Sequence, residues 1–101
     1  MSISTRYVDA ENKRQDILMR IERAFEPVSI VVDDVSDQHK GHKAWREEGG
    51  THYNITIVSD KFAYINRVKR HQMLYDLFRH ELQNGDIHAI SAKLLTPSEG
   101  M

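Results

Sequence analysis

Between His52 and Leu95 the hydrophobic pattern changes period twice. Tyr53, Ile55 and Ile57 alternate with polar residues, the period-2 signature of a strand with one buried face. His71, Leu74, Tyr75, Phe78 and Leu82 then recur at the spacing of a helix face, which predicts a second long helix with that inward stripe. Ile87 to Leu95 returns to strand composition. A strand, a helix and a strand in succession make a right-handed crossover, so the last strand is predicted to run parallel to the one before it.

The flanking segments complete the pattern. Ile17, Leu18, Ile21, Ala24 and Phe25 share one helical face, predicting a first helix from near Ala10 to just before Pro27. Val28 to Val35 is β-branched and short, and is predicted to pair with His52–Val58 as an antiparallel hairpin. The polar stretch from Ser36 to Gly50 is longer than that connection needs, and such loops are often functional. Asp60 to Ile65 reads as a turn or single helical turn, Asn66 as an N-cap, and Asn84-Gly85 as a helix stop. Residues 1–9 and 97–101 are expected to be flexible ends, leaving 10–96 as one domain. The predicted class is α+β, of order α-β-β-α(short)-α-β, with helices on one face of a three-stranded mixed sheet.

Composition narrows the function. The chain has no cysteine, which removes disulfides, thiol catalysis and thiolate metal sites of its own. Fourteen basic against fifteen acidic side chains leave a net charge of −1, so attraction to nucleic acid or anionic membrane must be local. The first eleven residues lack the apolar run of a signal peptide, and no apolar run approaches the roughly 20 residues that span a bilayer. A cytoplasmic protein without a membrane role is therefore expected.

Candidate chemistry lies with six histidines. His39 and His42 flank Lys40-Gly41 in the long polar loop, whereas His88 sits near the start of the last strand. Neutral imidazole ligates iron, zinc, nickel or copper, and two such rings remote in sequence are half of a four-coordinate site. The ordinary alternatives are a solvated loop histidine at 39 or 42 and, because His88 is in phase with Ile90 and Ala92, a core-edge histidine there. His71 falls on the apolar stripe and reads as structural, while His52 and His80 read as surface or edge groups. Trp45, an aromatic in a polar loop, belongs either to a contact surface or over the sheet.

Phe62, Arg70-His71, Tyr75 and His88-Ala89, preceded by the run THYNITIVSD, form a pattern that resembles the BolA-like proteins. The resemblance spans residues 10 to 96, with one departure: Tyr64 stands where the family usually has glycine. It implies a fold similar to a type II KH domain. It also implies a monothiol glutaredoxin partner and a two-iron, two-sulfur cluster shared with that partner's cysteine and glutathione. His88 matches the family's strand histidine and His39 its loop histidine, with His42 as the rival. Imidazole in place of thiolate raises the cluster's potential. No cluster is expected on the isolated chain, which is free to be a homodimer when alone.

Nucleic-acid binding is the competing reading. Arg67, Lys69, Arg70 and Arg79 place positive charge on the second long helix, and with His71 and Trp45 they are the candidate nucleic-acid or partner surface. Transcriptional regulation is also linked to the BolA-like family, which makes DNA the alternative partner. Against RNA reading, Ser59 to Asn66 contains none of the glycines of a KH backbone clamp. No nucleophile with an adjacent base and no phosphate-binding loop can be read, so an enzyme is not expected.

Overall fold

The computed structural model describes the backbone of residues 5–36 and 49–100, with side chains of the first helix from residue 9 onward. Helix α1 runs from Thr5 to Phe25. It starts well before Ala10, because nothing between Thr5 and Asp9 is a glycine or proline that would stop it. Ile17, Ile21 and Phe25 are buried, Leu18 packs at the margin, and Ala24, predicted on the same face, is exposed.

Strands β1 (Ser29–Asp34), β2 (His52–Val58) and β3 (Ala89–Leu95) form one sheet with β2 in the middle. β1 lies antiparallel to β2, with Ser29 opposite Val58 and Asp34 opposite Tyr53. β3 lies parallel to β2, with His52 opposite Ala89 and Val58 opposite Leu95, as the crossover requires. Tyr53, Ile55 and Ile57 turn into the core with Val32 and Leu94, so the predicted alternation is realised.

A single 3-10 turn, Asp60–Phe62, follows β2; the Ser59 hydroxyl accepts from the Lys61 N–H at 3.1 Å and starts it. The turn drops Phe62 into the core, fully buried, with its ring 5.1 Å from that of Phe25. Burial of a ring of this size contributes roughly 1.5–3 kcal/mol. Asn66 then caps helix α2 (Arg67–Leu77) by accepting from the Lys69 N–H at 2.8 Å.

The predicted single helix to residue 83 is in fact two. The backbone breaks at Phe78 (φ −113°, ψ 21°), and α3 covers Arg79–Asn84 before Gly85 turns the chain at φ 82°. The break keeps the Phe78 ring buried, and Arg20 of α1 stabilises it. Its guanidinium donates to the Leu77 carbonyl, pairs with Glu81 at 2.8 Å and sits 4.5 Å from the Phe78 ring centroid. That pairing holds the Glu81 carboxyl below the usual carboxylate range.

The carboxyl end also departs from expectation. Pro97–Gly100 is a helical turn, α4, and Glu99 binds back into the domain instead of fraying. Among the described residues, no helix is long and apolar enough to cross a membrane.

Candidate functional site

β3 is an edge strand, and its outward carbonyls are covered by the residues that make the family-like pattern. Arg70 donates to the Leu94 carbonyl at 3.0 Å, His71 Nε2 lies 3.1 Å from the Ala92 carbonyl, and Tyr75 donates to the Ile90 carbonyl at 3.3 Å. Three side chains of α2 thus follow the strand edge at its two-residue period, which blunts it against pairing with another chain. Arg14 of α1 does the same for β1 by donating to the Val32 carbonyl at 2.9 Å.

This arrangement revises several sequence expectations. Tyr75 is 38 % exposed and lies along the strand edge, not in the inward stripe. Arg70 is 5 % exposed and donates to the Ile65 carbonyl at 2.7 Å and to Glu99 at 2.6 Å, so it is a structural cation and no part of an open basic surface. Arg79 is exposed but paired with Asp76. His71, placed by sequence both on the apolar stripe and in the candidate partner surface, also has Nδ1 2.8 Å from the Arg67 carbonyl, so both its ring nitrogens face backbone oxygens.

Arg70 holds the Glu99 carboxyl down at about 2, its hydrogen bond being the largest cause and that from the Thr96 backbone the next. A depressed folded value means that the contact contributes stability above the unfolded value of about 4.5 and loses it as pH falls toward 2. The expected result is a Glu99 side-chain carboxyl resonance that titrates near pH 2, moving into the ordinary range in an Arg70→Met chain. A midpoint near 4.5 in the parent would refute the contact.

Tyr64 occupies a left-handed backbone conformation, φ 63°, and its side chain is fully exposed. Here the turn itself asks for glycine, because a Cβ in this region costs roughly 1–2 kcal/mol. Part of that gain is returned through the greater freedom of glycine in the unfolded chain. Tyr64→Gly is expected to stabilise the fold by about 1 kcal/mol, read from denaturant midpoints at unchanged slope; destabilisation would show that the ring makes a contact of its own.

The histidines sort differently from their expected places. His88 precedes β3 instead of lying within it, and is exposed, so it is no core-edge residue. Its backbone is nonetheless held, since the N–H groups of His88 and Ala89 both donate to the Thr51 carbonyl, at 2.7 and 3.1 Å. His52, expected as a surface or edge group, is 4 % exposed, and its ring centroid lies 5.1 Å from that of His88. The signal for this pair was available: parallel strands bring the starts of β2 and β3 together.

A polar chain runs from the exposed Asp34 through the buried Ser36 and Thr51 to His52. The Asp34 carboxylate accepts from the Ser36 hydroxyl at 2.5 Å and from the Gly50 N–H at 2.8 Å. The Ser36 oxygen accepts from the N–H groups of Thr51 and His52, at 3.0 and 3.2 Å, and from the Thr51 hydroxyl at 3.2 Å. The Thr51 hydroxyl lies 2.9 Å from His52 Nδ1. Gly49 and Gly50, at φ 80° and 79°, make the close approach possible; a Cβ on Gly49 would fall 2.8 Å from the Asp34 carboxylate. His39, His42 and Trp45 lie outside the described residues. Among the described residues no group of three or more potential ligands gathers. His88 therefore stands at this point of the fold as a single exposed imidazole.

These features define a small α+β domain whose helices cover one face of a three-stranded mixed sheet and whose exposed histidine stands where two parallel strands begin. The family model described as BolA-like protein matches residues 21–99. The chain belongs to the BolA-like family. It is 43 % identical over 91 residues to the chloroplastic protein BOLA1 of Arabidopsis thaliana, covering 88 % of this chain and 56 % of that one. The chain thus spans little more than half the length of that relative. It is 34 % identical over 86 residues to the DNA-binding transcriptional regulator BolA of Haemophilus influenzae, covering 85 % of this chain and 79 % of that one. The solved structure of BolA1 from Arabidopsis thaliana superposes with a TM-score of 0.76 at 39 % identity, covering 89 % of this chain and 98 % of that one.

Proposed function

We propose that the protein is a non-enzymatic adaptor that joins a monothiol glutaredoxin and contributes imidazole to a shared two-iron, two-sulfur cluster. The observation that carries this reading is the exposed, backbone-anchored His88 in a chain without cysteine. Such a chain can offer nitrogen ligands but needs thiolates from a partner, and glutaredoxin cysteine with glutathione supplies them. The cluster is cargo or signal on this reading, and His39 or His42 completes this chain's share. The relatives include a chloroplastic protein, so the cytoplasmic location belongs to the proposal. The test is to mix the protein with a cluster-loaded monothiol glutaredoxin and follow visible absorption and circular dichroism. A new spectrum of fixed stoichiometry supports the reading, and unchanged spectra with no complex overturn it.

A second reading, DNA binding, has its own observation. Lys61, Arg67 and Lys69 are exposed near the start of α2, and among the described residues none has an acidic partner. The relatives named as DNA-binding regulators make such a surface worth testing. If these cations hold phosphate, neutralising all three should flatten the salt dependence of duplex binding, by about 0.9 in logarithmic slope for each phosphate they neutralise. An unchanged slope would leave them as a solvated face.

A further inference from the structure

We propose that the turn leading into α2 binds single-stranded nucleic acid, the Tyr64 ring stacking on an unpaired base while Lys61, Arg67 and Lys69 hold the adjoining phosphates. The inference rests on the DNA-binding reading and narrows its ligand from duplex to unpaired strand.

Tyr64 keeps a left-handed backbone, φ 63°, that glycine would adopt without strain, and its side chain is 107 % exposed. Burial of the ring therefore offsets none of that strain. Strained residues of this kind cluster at ligand clamps, where the strain holds a group in place. The turn is also fixed on both sides of the ring, since the Ala63 N–H donates to the Asp60 carbonyl at 3.0 Å and the Ile65 N–H to the Phe62 carbonyl at 3.1 Å. Little backbone entropy is left to lose on binding.

From Ser59 to Lys69 the chain carries three basic side chains against one acid, Asp60. Lys61, Arg67 and Lys69 are exposed, and among the described residues none has an ion-pair partner. Further along α2, Arg67, Val68, His71, Gln72 and Tyr75 line an open hollow of about 450 Å³ with a mostly carbon surface, where a second base can rest.

In a duplex the base faces are stacked on one another and only their edges reach the grooves, so an exposed ring finds nothing to stack on. In a single strand every base offers a face, and a ring flanked by cations is the arrangement that holds it. A protein partner would instead seat an aromatic anchor among other apolar groups. The exposed residues beside Tyr64 in the turn, Asp60, Lys61, Ala63 and Asn66, are polar apart from one alanine.

The experiment titrates the isolated full chain into fluorescent oligothymidylate of about twelve nucleotides, and into the duplex of the same length, and follows anisotropy. The single strand is expected to bind more tightly than the duplex. Tyr64→Gly should weaken single-strand binding about tenfold and leave duplex binding unchanged, whereas Tyr64→Phe should bind as the parent does. Glycine relaxes the turn, so a loss in that variant is not a loss of fold. A duplex bound as tightly as the single strand, or single-strand affinity unmoved by Tyr64→Gly, would overturn this inference and leave the DNA-binding reading in place. Absence of binding to either form overturns both. A Tyr64→Gly chain that keeps its nucleic-acid affinity but no longer joins a cluster-loaded glutaredoxin would make the ring a protein contact, which also overturns it.

Discussion

Arg70→Ala is expected to lower folding stability by about 3 kcal/mol, a shift of roughly 15 °C in the midpoint of thermal unfolding. The size follows from what the side chain holds. Its guanidinium donates to the carbonyls of Ile65 and Leu94, and it lies 5.9 Å from the buried Phe62 ring. Alanine leaves both carbonyls without that donor, at roughly 1–3 kcal/mol for a buried unsatisfied group. It also frees the α4 turn, since Glu99 loses its anchor. Lysine should rescue little, because one ammonium cannot reproduce a planar fork with several fixed donors. Denaturation of Arg70→Ala, Arg70→Lys and Glu99→Gln chains checks this. A loss below about 1 kcal/mol in the alanine variant would return Arg70 to the solvated charges.

His88→Ala is expected to abolish the spectral change produced when a cluster-loaded glutaredoxin meets this protein, while leaving the fold intact. The side chain is exposed, so its removal leaves no core cavity, whereas the groups that position it belong to the backbone of Thr51, His88 and Ala89. A ligand held this way needs no further ordering, while each residue fixed from a mobile state costs about 1–2 kcal/mol. His39→Ala should only weaken or shift the spectrum, because His42, three positions away, can replace it; changing both should cost more than either. An undiminished spectrum from a folded His88→Ala chain would remove the histidine from the cluster and leave the adaptor reading without its ligand.

The extent to which the chain could be read in advance differs between elements for definite reasons. Tyr53, Ile55 and Ile57 identified a half-buried strand because alternation is a local property of the chain. Asn66 and Gly85 identified helix ends because capping needs only a few neighbouring residues. The parallel pairing of β2 and β3 followed from connectivity and handedness alone. The break at Phe78 was not legible, since it is stabilised by Arg20 from a helix remote in sequence. Arg70 read as surface charge because periodicity gives the face of a helix but not which carbonyls wait opposite it.

By itself, then, the sequence determined the three strands and the first helix, the buried alternation of β2, the absence of any thiol ligand and the family-like spacing of Arg70, His71, Tyr75 and His88. Those properties depend on covalent order and local backbone preference. Only the tertiary structure decided that three of those residues cover the edge of β3, that Tyr64 sits in a conformation suited to glycine, and that His52 is buried beside His88. Each of these is a meeting between groups distant in the chain or a constraint imposed by such a meeting, and it exists only once the sheet register has brought the strand starts and the helices together.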